Sequence, residues 1–246
     1  MKKLLLLLLP VILSCSGGDS DGIILGPGEG TSGIGGSTAR FAIRNGYMYV
    51  STNSKLKVLD LKDATHPNLV NTVTTFGNLE TAVAYENLLF LGANDGVYIY
   101  DLIDPVHPDY ITKFTHQTGC DPVIANGNVA YLTIRDGQTC TFRNVNQLIT
   151  IDISDLTNPV GLDTISMIRP RGLSIFNGSL YVGEGAFGLK KFDITTPYEP
   201  KLDTFYADIP ANDMIALTSE MIVTAGSGVS QFNLVGDTLN QISTIK

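Results

Sequence analysis

The chain has 246 residues, 43% of them hydrophobic, with 16 Lys and Arg against 24 Asp and Glu and a formal net charge of −8. That length and apolar content suit one domain with a sizeable core plus a leader, and they exclude a chain disordered by composition. The acid excess argues against binding to nucleic acid or to an anionic lipid surface, because clustered Lys and Arg are what neutralise phosphates. After the N-terminus no stretch approaches the roughly 18 consecutive apolar residues of a spanning helix.

The first residues are of a different kind. Lys2 and Lys3 form a positive start, and Leu4 to Leu13 form an apolar run interrupted only by Pro10. Such a run reads as an export signal. It ends in Ile12-Leu13-Ser14-Cys15, which resembles the lipobox of bacterial lipoproteins, where a small residue precedes the cysteine that is acylated and becomes the new N-terminus. An ordinary signal peptide with an incidental cysteine is the alternative. The expectation is therefore a signal peptide over 1–14, lipidation at Cys15 and attachment to the membrane through that lipid. Two or three acyl chains on one cysteine anchor stably where one would be marginal. Ser16 stands where an Asp would favour inner-membrane retention, which points to the outer membrane. Cleavage removes two lysines and no acid, leaving 14 basic against 24 acidic side chains. Residues 16–37 hold nine glycines and no apolar period, so 15–37 is expected to be a flexible spacer, with the folded domain at 38–246.

Beyond the spacer the chain repeats itself. Strand-like segments close at Asp60, Asp101, Asp152, Asp193 and Asn233, and a proline follows seven residues after the first four, at Pro67, Pro108, Pro159 and Pro200. Two markers in register make a true repeat. Each unit reads as four short strands, for example Thr81 to Tyr85, Leu88 to Gly92, Val97 to Asp101 and Tyr110 to Phe114. Asn-Gly pairs at 45–46, 126–127 and 177–178 mark tight hairpins that need positive φ. Four strands per unit of about 40 residues predict an all-β protein, a β-propeller of about five four-stranded blades.

Leu59-Asp60-Leu61-Lys62-Asp63 followed by His66-Pro67, with its counterpart Ile151-Asp152-Ile153-Ser154-Asp155 followed by Asn158-Pro159, resembles the LVIVD-repeat family of extracellular bacterial β-propellers. The stretch from Cys120-Asp121-Pro122-Val123 through Asn128 to Leu132 is similar to a second hallmark of that family. The resemblance spans residues 39–246 and implies fold and location, with no established catalytic residues to carry over. The fifth unit departs from it, with Asn233 for Asp and no marker proline, as a capping blade would. Repeat and blade run in phase, from a first strand near Phe41 to a last near Ile242. Ring closure is then expected to rest on face packing between blades five and one, with an open or partner-completed ring as the alternative.

Candidate chemistry is sparse. His66 and His107 precede the repeat proline where other blades carry Asn158 and Glu199, which marks a turn surface, and His116 stands in a loop without ligands at metal spacing. The acid pairs Asp60/Asp63, Asp101/Asp104 and Asp152/Asp155 recur at one strand exit and read as turn caps before cation ligands. No metal or cofactor is implied. Cys120 precedes the first strand of blade three and Cys140 follows its second, so both lie at one end of the sheet and are expected to form a disulfide on export. The alternative, a metal or redox pair, lacks a third ligand and C-x-x-C spacing.

Two functions follow. One is an envelope-anchored binding or scaffold module for a protein or glycan, exposed at the surface or in the periplasm, using the face with the long loop around Thr139 to Val145. The other is an envelope enzyme of hydrolase type at the propeller axis, using Arg40, Glu80, Asp121, Arg171 and Asp213 near the starts of the first strands. Convergence of these five on one cavity is what an axial enzyme requires; splaying outward would remove its support.

Overall fold

A computed structural model describes residues 35–115, 122–137, 145–226 and 228–246. Blade one is built of β1 Phe41–Arg44, β2 Tyr47–Thr52, β3 Lys55–Asp60 and β4 Asn68–Thr74. Blade two follows with β5 Leu79–Tyr85, β6 Leu88–Ala93, β7 Gly96–Asp101 and β8 Asp109–Phe114. Blade three has β9 Val123–Asn126, β10 Val129–Ile134, β11 Gln147–Asp152 and β12 Val160–Ser166. Blade four has β13 Leu173–Phe176, β14 Ser179–Gly183, β15 Leu189–Asp193 and β16 Lys201–Tyr206. Blade five closes the chain with β17 Asp213–Ala216, β18 Glu220–Ala225, β19 Gly228–Val235 and β20 Thr238–Ile245.

Each blade is an antiparallel meander with its strands side by side in chain order. Asn45 and Gly46 both carry positive φ, 53° and 79°, as the expected two-residue hairpin demands. A register shift recurs between third and fourth strands at the same place in all five blades, at Val58/Leu59, Ile99/Tyr100, Thr150/Ile151, Lys191/Phe192 and Gln231/Phe232. An extra residue at a fixed position increases the twist of the outer strand, and its repetition gives every blade the same shape.

The marker acids cap turns. Asp60, Asp101, Asp152 and Asp193 each accept the backbone N–H two residues on, and Asp63, Asp104 and Asp155 do the same one turn later. Nδ1 of His66 and of His107 lies 3.0 and 2.9 Å from Asp63 and Asp104, inside these turns. Hydrogen bonds from Thr65 and His66 hold the exposed Asp63 carboxyl below its ordinary pKa.

Consecutive blades are joined by apolar clusters. Tyr49, Leu56 and Val58 of blade one meet Leu89, Leu91 and Tyr100 of blade two. Phe90 and Ile99 meet Val123, Leu132 and Ile151 across the next interface. Tyr131 and Leu148 meet Leu180 and Phe192, and Tyr181 and Leu189 meet Met214, Met221 and Phe232. In blades one and three the third residue of the second strand also reaches the turn of the following blade: Tyr49 Oη donates to the Pro105 carbonyl at 2.9 Å and Tyr131 Oη to the Pro197 carbonyl at 2.8 Å. Phe90 occupies the same position and packs in one cluster with Leu156 of the next turn.

Between blades four and five this hydroxyl clasp is missing. Blade five lacks the proline turn, and Tyr181 Oη is buried without a hydrogen-bond partner among the described residues. Burial pushes its hydroxyl pKa up to about 12. An ion pair stands in its place, with buried Lys191 2.6 Å from Asp237 of blade five and 2.9 Å from Asp203. Burial works against the charge on Lys191, and the two carboxylates more than offset it, so its pKa lies above the usual lysine range.

The expected face packing of blades five and one is not what the structure shows. Phe41, Ile43, Met48, Val50 and Leu59 on the free face of blade one are all intermediate or exposed, as are Ile215, Ile222, Thr224 and Gln231 on that of blade five. Pro67 in the turn of blade one is exposed, whereas its equivalents Pro108 and Pro200 are buried and Pro159 is partly so. A strand-two Tyr is absent from blade five, where Ile222 stands, so the turn of blade one has no clasp. The two ends are joined at the axis instead, through Asp213. The chain before Thr38 also departs from expectation: Gly36 and Ser37, assigned to the spacer, are buried in the fold.

These contacts separate the two tyrosines. Tyr131→Phe should cost about 1 kcal/mol by removing a hydroxyl from its acceptor, and Tyr181→Phe should be neutral or stabilising because it removes a buried hydroxyl that has none. Urea unfolding of both variants checks this ordering.

Candidate functional site

The inner strands β1, β5, β9, β13 and β17 pack in succession. A cavity of about 320 Å³ runs between the inner strands of blades one to four, lined by Ala42, Ala82, Ala84 and Ala125 together with larger side chains such as Phe41, Ile43, Val83 and Ile175. The end at which inner strands begin and second strands finish is polar. There a cavity of about 480 Å³ is lined by Thr38, Arg40, Glu80, Thr81, Pro122, Arg135, Arg171, Asn212, Asp213 and Thr224. All five blades contribute.

Arg40, Glu80, Arg171 and Asp213 are thus brought together as an axial site requires. Asp121 lies outside the described residues, as do Cys15, His116, Cys120, Cys140 and most of the loop around Thr139 to Val145. Arg135, which sequence reasoning missed, joins them from the residue after β10. The signal was available, because the end of a second strand falls where a first strand starts.

Asp213 ties the site together. Its carboxylate accepts Ser37 Oγ at 3.2 Å, Thr38 N at 3.2 Å, Thr38 Oγ1 and its neighbour Met214 N at 3.0 Å. Ser37 Oγ in turn accepts Leu173 N of blade four at 2.7 Å. The carboxylate fits between two glycines: a Cβ on Gly36 or on Gly172 would lie 2.1 Å from an Asp213 oxygen. No other residue allows that approach.

Arg171 is held from both sides. Its N–H donates to the Gly183 carbonyl at 2.8 Å and its carbonyl accepts Thr133 Oγ1 at 2.6 Å. The preceding segment is fixed by the fully buried Glu184, whose Oε1 accepts Ile168 N at 2.5 Å and whose Oε2 pairs with Lys190 at 3.0 Å. The Arg171 pKa is lowered by burial and by the neighbouring charges of Arg135 and Arg169. Glu80 is raised by burial, against the opposing pull of Arg40 and Arg135. Among the described residues no three His, Cys, Asp or Glu side chains gather as a metal centre needs.

Five four-stranded meanders stacked face to face about such an axis define a β-propeller. The chain is similar to the LVIVD repeat, whose family model matches residues 35–75 and 142–163. No curated protein matches the sequence. Among solved structures the chain is similar to a protein from Lactobacillus plantarum, at 14% identity and TM-score 0.64 over 81% of this chain and 67% of that one. It is similar to the Pseudomonas aeruginosa periplasmic gluconolactonase, at 13% identity and TM-score 0.60 over 82% and 67%. BamB from Moraxella catarrhalis is similar at 15% identity and TM-score 0.52 over 82% and 58%. The chain thus spans about two thirds or less of the length of these proteins. At such identities the likeness shows the fold alone.

Proposed function

We propose that the protein is a lipid-anchored component of the bacterial cell envelope whose propeller is a binding module with its ligand site in the axial cavity. The observation that carries this reading is the meeting of side chains from all five blades in one cavity of about 480 Å³, a size suited to a small molecule or the end of a glycan. Envelope anchoring is supported by the export signal and Cys15, and a periplasmic protein is among the similar folds. Side chains positioned by stacked blades lower the ordering cost of binding.

Four of the five residues named for an axial enzyme line this cavity, and the fifth, Asp121, lies outside the described residues. A hydrolase of the two-carboxyl kind needs a pair, and Asp213 is engaged by Ser37 and Thr38, which leaves Glu80, with its raised pKa, as the one carboxyl not so engaged among the described lining residues. Binding is therefore the first function. Lactone hydrolysis is the activity to assay for the second, since one of the similar folds is a gluconolactonase.

Asn212→Trp places the chain's only indole in the cavity and fills it. On glycan and metabolite arrays the full-length protein should show ligands that this variant loses while keeping its circular dichroism; ligands retained by the folded variant would move the site elsewhere. Cys15→Ala should shift the protein from the membrane to the soluble fraction. Persistence in salt-washed membranes would end the lipid-anchor assignment.

A further inference from the structure

The described residues that line the axial cavity carry more positive than negative charge, although the chain as a whole is acidic. Three of the six arginines in the sequence line it, Arg40, Arg135 and Arg171, facing two carboxyls, Glu80 and Asp213. Asp213 is occupied by the hydroxyls of Ser37 and Thr38, and Glu80 feels chiefly Arg40 and Arg135. What surrounds Arg171 is like charge.

Among the described residues no carboxylate lies within ion-pair distance of the Arg171 guanidinium, and its Nε is buried without a hydrogen-bond partner. Gly185, at φ 63°, presses so closely that a Cβ there would stand 2.7 Å from that Nε. Backbone hydrogen bonds to Gly183 and from Thr133 fix where this side chain leaves the chain, at the wall of the cavity. A partly buried guanidinium with two cationic neighbours and no carboxylate partner among the described residues is stabilised by an anion that approaches it from the cavity. Guanidinium is also the group whose planar fork matches the two oxygens of a carboxylate or phosphate.

We propose that the axial cavity binds a small anionic sugar, its carboxylate or phosphate held between Arg171 and Arg135 and its hydroxyls facing Glu80 and Asn212. The sugar follows from the lining, which is polar throughout apart from Pro122. Glu80 accepts from a hydroxyl, and Asn212 both donates and accepts. The inference rests on the reading of the cavity as the ligand site.

Calorimetric titration of the full-length protein in detergent with D-glucuronate, D-glucose 6-phosphate and D-glucose tests it. Binding of at least one anionic sugar is expected, about tenfold or more tighter than glucose, weakening with added salt. The tighter of the two anions distinguishes carboxylate from phosphate as the natural group. Arg171→Gln should lower that affinity about tenfold, and Arg171→Lys by less, because the charge remains while the fork is lost; Arg135→Gln serves if Arg171→Gln does not fold. Equal affinity for glucose and the anions, no binding of either anion, or unchanged anion affinity in folded Arg171→Gln would overturn the proposal. The cavity reading fails separately, when a bound ligand is unaffected by Asn212→Trp.

Discussion

A four-stranded sheet that is apolar on both faces cannot stand alone in water, and the rest of this structure follows from that constraint. Each interior blade buries one face on its predecessor and the other on its successor; in blade two, Leu89 and Leu91 look back to Tyr49 while Phe90 looks forward to Leu132. Fully burying one such side chain stabilises by roughly 1.5–3 kcal/mol. The turns of the repeat are built for the same stacking, since the Pro105 and Pro197 carbonyls receive tyrosines of the preceding blades.

Stacking also makes the axis. Inner strands brought side by side enclose a mixed apolar cavity, and at one end they deliver residues from the start of every blade to a shared polar one. Charge accumulates there because the position is a strand start, where side chains still meet water. Four apolar interfaces hold five blades in a row, and the remaining junction is of another kind. Asp213, set between Gly36 and Gly172 and hydrogen-bonded to Ser37 and Thr38, ties the last blade to the start of the first. A polar tie lets the free faces of blades one and five stay partly solvated.

Much of this was legible from one chain. The spacing of Asp60, Asp101, Asp152, Asp193 and Asn233 located every third strand, and the hairpin at Asn45-Gly46 set the phase that puts Arg40, Glu80, Arg171 and Asp213 at one end of the axis. What escaped depends on distant partners. Gly36 and Ser37 read as spacer because nothing local distinguishes them from the glycines before them; only Asp213, some 175 positions on, gives them a place. Arg135 was missed because the strand-end rule was applied to Cys140 and to the strand starts but not to the residue after β10. The loss of the clasp at Tyr181 was half visible, in the missing proline of blade five, but its consequence needed the neighbouring sheet.

The central claim is that four apolar interfaces carry the ring while Asp213 ties its ends. Native-state hydrogen exchange on the full-length protein and its Asp213→Ala variant measures it directly. The Leu173 amide and the amides of β1 and β17 should lose protection in the variant, while those of β6 and β10, between the interior blades, keep theirs. Equal loss of protection in all five blades, or none in β1 and β17, would contradict the account.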